Sequence, residues 1–129
     1  MSCPFCPPKL HDGRQEIILK NELCFFIQQD QPVLIGSGCI IPKAHRKTPF
    51  DLIREEWDST YDLLHKVKAL LDERHAPDGY NIGWNCGATG GQIIFHVPLH
   101  IIPRFADEPY AGRGIRNWLK RDANKRPTN

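Results

Sequence analysis

The chain has 129 residues, 40% hydrophobic and 25% charged, which is ordinary composition for one globular domain with a single core and too little chain for two. Its N-terminal Met-Ser-Cys-Pro-Phe-Cys lacks the basic-then-apolar pattern of a secretory leader, and no apolar run approaches membrane-spanning length, so a soluble, cytoplasmic protein is expected. The net charge of +2 is unevenly placed: from residue 104 onward seven Lys/Arg stand against three acids, a basic tail read first as a solvated C-terminus and second as a phosphate-attracting arm.

Pro4, Pro7 and Pro8 exclude a helix at the start. Glu16–Leu19 and Leu23–Ile27 read as two short strands around the turn Lys20-Asn21-Glu22, and a third ends in Cys39-Ile40-Ile41 before Pro42. From Arg54 to Arg74 the apolar positions Trp57, Tyr61, Leu64, Val67, Leu70 and Leu71 recur at helical spacing, which predicts one long amphipathic helix. Ala76-Pro77-Asp78-Gly79 ends it. Tyr80–Trp84 and Gly91–Ile102 are the last two strands expected. Short strands joined by hairpins, with one helix between them, predict an α+β fold on an antiparallel sheet.

The segment from Gly90 to Pro103 carries the most information. Read as a strand, it places His96, Pro98 and His100 on one face, with the two imidazoles about 13 Å apart and position 98 within reach of either. The cysteines Cys3, Cys6, Cys24, Cys39 and Cys86 are odd in number, and two lie in apolar strand-like runs, so in a reducing compartment they read as free thiols or metal ligands. Cys3-Pro4-Phe5-Cys6 is a CxxC knuckle. On its own it fits half of a tetrahedral zinc site, a redox pair or two incidental thiols. His11, His65 and His75 read as surface or partly buried side chains.

The histidine segment, with Asn85-Cys86-Gly87 upstream, resembles the signature of the histidine-triad (HIT) nucleotide hydrolases and transferases. That pattern is His, apolar, His, apolar, His, apolar, apolar, usually after a Gly-Gln pair; His96, Val97, Leu99, His100, Ile101 and Ile102 match it. Ile40-Ile41-Pro42-Lys43-Ala44-His45 and the turn Asp78-Gly79-Tyr80-Asn81 extend the likeness over residues 1–105, leaving 106–129 as the basic tail. The resemblance implies a five-stranded antiparallel sheet with one helix, usually in a homodimer. In zinc-containing bacterial members the metal is held by positions matching Cys3, Cys6, His45 and His96. A closed shell of two thiolates and two imidazoles leaves no place for water, so such a zinc is structural.

In the reaction the resemblance implies, an imidazole attacks the α-phosphorus of a nucleoside phosphoramidate or dinucleoside polyphosphate, and water releases the nucleotide. By position, Asn85 and Gln92 contact phosphate or orient the strand, and His100 donates to a phosphate oxygen. Gly87, Gly90 and Gly91 permit close backbone approach. The purine rests on Phe5, Phe26 and Ile27. Three positions depart from the pattern. Gln29 stands where an acid commonly meets the ribose, with Asp30 adjacent. Ile93 replaces a hydroxyl, and Pro98 occupies the nucleophile position with neither a basic atom nor an N–H. The expectation is a purine nucleotide-binding protein with impaired hydrolysis. The competing readings are a non-catalytic nucleotide-binding or scaffold protein and, less favoured, a nucleic-acid binder using the tail.

Overall fold

A computed structural model of the chain describes residues 3–7 and 9–128; Pro8, part of the proline-rich start, lies outside them. Five strands form one antiparallel sheet: β1 (Glu16–Lys20), β2 (Cys24–Gln28), β3 (Gly38–Pro42), β4 (Gly79–Gly83) and β5 (Leu99–Arg104). Their spatial order is β1-β2-β3-β5-β4, so the two ends of the sheet are β1 and β4. The single α-helix among the described residues, α1 (Arg54–His75), joins β3 to β4.

Alternation within the strands divides the core. Cys24 and Phe26 of β2, Ile40 of β3, and Leu99 and Ile101 of β5 face α1, where Leu63, Val67 and Leu71 recur four apart and present one face of the helix. On the opposite face Ile27 and Ile41 meet Phe5 and Leu10 of the N-terminal segment. The sheet is therefore covered by a helix on one side and by the first residues of the chain on the other. Asn21 ties the β1–β2 hairpin to α1: its carbonyl accepts from the Cys24 N–H and the Ser59 hydroxyl, and its amide donates to the Ser59 carbonyl.

The start of α1 is linked to the segment that enters β5. The Glu56 carboxylate accepts the Ile53 N–H at 2.9 Å, satisfying a donor that the helix leaves free, and pairs with Arg46 at 3.0 Å. The Arg46 carbonyl in turn accepts the Val97 N–H at 2.7 Å. At the other end Ala76 adopts φ +47°, the left-handed conformation that commonly terminates helices, and its N–H donates to the Asp72 carbonyl.

The first three strands and the helix lie within a residue or two of their expected bounds. The last strand does not. Residues 91–98 form a loop, and β5 runs instead from Leu99 to Arg104. Ile93 and Phe95 are 89% and 43% exposed, while His96, Val97, Pro98 and Leu99 are all buried, a succession that no two-residue period produces. Pro98 immediately precedes the strand, a position where its missing N–H interrupts no ladder. Pro103 is inside β5 but beyond Ile101, the last residue of β5 paired with β3, so one side of the strand is already free there.

Candidate functional site

Four sequence-distant side chains converge beside the N-terminal segment. The ligand atoms of Cys3, Cys6, His45 and His96 all lie within 4.8 Å of one another. His96 Nδ1 is 3.4 Å from Cys3 Sγ and 3.3 Å from Cys6 Sγ, and His45 Nδ1 is 3.4 Å from Cys6 Sγ. Sulfur and nitrogen at tetrahedral zinc distances of about 2.3 and 2.0–2.1 Å stand about 3.6 Å apart, so the cluster is close to the size such an ion needs. The orientation of His96 is fixed from behind. Its Nε2 donates to the Pro42 carbonyl at 2.7 Å, which leaves Nδ1 as the lone-pair nitrogen facing the thiols. Partial burial and the neighbouring Cys3 thiol push Cys6 up to about 11, so the thiol keeps its proton until a cation displaces it.

On the face of the sheet away from α1 lies a cavity of about 330 Å³. Its floor follows from strand register: Ile27 pairs with Cys39, and Cys39 with His100, giving a row of side chains across β2, β3 and β5. Phe5, Gln29–Gln31, Leu34, Ser37 and Gly38, Asn85, Gly91–Ile94 with Pro98, and Ile102 complete the walls. Pro98 and His100 thus face one space. Cys39 Sγ lies 3.5 Å from His100 Nδ1. Burial lowers the pKa of His100 and pushes the Cys39 thiol up to about 12, so both are neutral at physiological pH.

Of the residues expected at a nucleotide site, Asn85, Gly91, Gln92, Ile27, Pro98 and His100 border the cavity. Phe26, expected beneath a purine, does not. It is fully buried on the α1 side, because adjacent strand residues point to opposite faces and Ile27 occupies the cavity face. Gln92 is buried and clamps the 86–95 loop: its carbonyl accepts the Gly87 N–H at 2.9 Å, and its amide donates to the carbonyls of Lys47 and Ile94. Gly91 has φ +94°, a conformation that favours glycine, and permits the turn beside Asn85. Sequence reasoning passed over Cys39. The signal was its place in an alternating strand whose neighbour Ile40 is a core residue.

A cavity bordered by a half-buried histidine, beside a thiol-imidazole cluster on a five-stranded antiparallel sheet backed by one helix, matches a known domain. The family model described as the HIT domain matches residues 12–107. The chain belongs to the HIT family. Among curated relatives, this HIT protein is 31% identical over 91 residues to the bis(5'-adenosyl)-triphosphatase of Dictyostelium discoideum, with 70% of this chain and 61% of that protein covered, so it spans under two thirds of that relative's length. It is 29% identical over 114 residues to the adenosine 5'-monophosphoramidase of Schizosaccharomyces pombe, covering 88% of this chain and 83% of that one. Its fold superposes on the zinc-bound histidine triad family protein of Mycobacterium smegmatis with a TM-score of 0.73 at 28% identity, over 88% of this chain and 83% of that one.

Beyond the HIT match the tail is organised by Arg104. Its guanidinium pairs with Glu108, and donates to Asn81 and to the carbonyls of Tyr110 and Arg113. Arg113 lies over the rings of both Tyr110 and Trp118, and Arg121 over Trp118 at 3.9 Å. Among the described residues no helix is long and apolar enough to cross a membrane.

Proposed function

We propose that this HIT protein binds a purine nucleotide or nucleoside phosphate derivative in the cavity around His100, and that it hydrolyses such compounds poorly because Pro98 stands where the nucleophilic imidazole belongs. The observation that supports this reading is that Pro98 and His100 border one cavity. His100, neutral and held beside Cys39, offers one N–H to an oxygen near the reacting phosphorus. Proline offers no lone pair to attack it. His100 lies two residues along the chain, and an attacking atom displaced by far less loses orders of magnitude in rate. The activities named for the Dictyostelium and fission-yeast relatives support a substrate class of dinucleoside polyphosphates or adenosine phosphoramidates.

The same reading places one structural zinc ion on Cys3, Cys6, His45 and His96, as in the zinc-containing bacterial members the sequence resembles. Two thiolates and two imidazoles suit a closed tetrahedral site whose contribution is to folding rather than to chemistry. It also takes the chain to be a cytoplasmic homodimer, with the exposed Trp57 and Tyr61 of α1 available to a second copy. Turnover of adenosine phosphoramidate, measured for the chain as it stands and for Pro98→His, tests the catalytic half. A crystal soaked with AMP tests the binding half. A pocket that holds nucleotide without turnover by either protein favours the scaffold reading.

A further inference from the structure

The cavity is poorly equipped for the charged end of a nucleotide. Gln92, the expected phosphate contact, has both ends of its amide engaged with the backbone of its own loop and of Lys47. The N–H groups of Gly90, Gly91 and Gln92 turn back to the carbonyls of Gly87 and Ala88 at 3.0–3.1 Å and are not free to receive an anion. Pro98 and Ile93 present carbon. Among the described residues no Lys or Arg borders the cavity, and the one formal charge on its walls is the carboxylate of Asp30, which repels a phosphate. His100 is held neutral by burial, so it meets a phosphate, like the amide of Asn85 and the hydroxyl of Ser37, as an uncharged donor.

The cavity does carry groups suited to the uncharged part of the molecule, although Gln29 replaces the expected acid and Phe26 faces away. Phe5 and Ile27 form an apolar wall that accepts a flat heteroaromatic base. Asp30, with two acceptor oxygens, suits a vicinal diol. The volume of about 330 Å³ lies near the lower limit of small-molecule sites, roughly 300 Å³. We propose that the preferred ligand of this cavity is an uncharged purine nucleoside, bound in preference to its 5'-monophosphate, with the base on Phe5 and Ile27 and the ribose diol donating to Asp30. The proposal rests on the reading of this cavity as a site for nucleoside derivatives, and names the class of compound that fits it.

Calorimetric titration of the full-length protein with adenosine and with AMP at neutral pH is the test. Adenosine is expected to bind at least tenfold more tightly than AMP. Asp30→Asn should narrow that gap from both sides, by weakening adenosine and relieving the repulsion on AMP. A Kd for AMP equal to or below that for adenosine overturns the preference while leaving the nucleotide reading standing. Failure of both ligands to bind the folded protein overturns the preference and that reading together.

Discussion

Pro42 and His96, 54 positions apart in sequence, are joined by a 2.7 Å hydrogen bond from the imidazole Nε2 to the proline carbonyl. That one bond turns the opposite nitrogen toward Cys3 and Cys6. It also links the end of β3 to the segment entering β5, so the thiol-imidazole cluster and the cavity share a scaffold.

Protein purified without added metal is expected to carry about one zinc per chain, with absorption fine structure giving ligand distances of about 2.3 Å for sulfur and 2.0–2.1 Å for nitrogen. Cys6→Ser should lose the metal and unfold at lower denaturant concentration. A reduced, metal-free and equally stable protein contradicts the zinc assignment.

Pro98→His should raise adenosine phosphoramidate turnover by several orders of magnitude, since removal of an enzyme's nucleophile costs on the order of a million-fold. Because residue 98 precedes β5, the substitution leaves the assigned ladder unchanged. Thermal melts should therefore shift little, and steady-state kinetics of the two proteins side by side isolate the chemistry.

Acid should destabilise the fold through His100. Burial lowers its folded-state pKa, so below about pH 6.5 the unfolded chain takes up a proton that the folded chain refuses. Stability is fully present above that value and is lost as the pH falls toward the lowered one. Urea midpoints at pH 7.5 and 5.5 should diverge more for the natural chain than for His100→Gln.

Ala76→Gly should stabilise the protein by about 1 kcal/mol, because a side chain at φ +47° bears a left-handed penalty that glycine escapes. Equilibrium denaturation of the two proteins measures it.

Light scattering at micromolar concentration should give a dimer mass, and Trp57→Glu should shift it toward monomer. Trp57 and Tyr61 are 41% and 63% exposed, on the helix that packs over the sheet, and Trp57 meets Trp84 edge-on just past the outer strand β4.

Periodicity carried most of the fold. Val67 and Leu71 of the expected apolar stripe are buried, but the third buried position of α1 is Leu63, with the expected Leu64 only partly covered and Trp57 and Tyr61 41% and 63% exposed, because the spacing fixes the helix more firmly than the phase of its buried face. Cys24 with Phe26 announce the inner face of β2. The same period-two rule separates Phe26 from Ile27, so their joint assignment to one base-binding wall conflicted with the strand geometry. The 91–98 segment failed for a different reason. Its apolar run mimics a strand, yet its shape is set by Gln92 reaching the carbonyl of Lys47, a contact across 45 positions that local pattern does not encode. The convergence of Cys3, Cys6, His45 and His96 was legible only through family resemblance, since knuckle spacing identifies two thiols and leaves their partners open.

Phe5 lies between the two cysteines of the knuckle and also forms part of the cavity wall. On the proposed reading, a metal that fixes the knuckle also fixes one side of the surface that ligand meets. On that reading, any coupling through Phe5 is reciprocal: ligand would strengthen the hold on the metal by the same factor that the metal strengthens the hold on ligand.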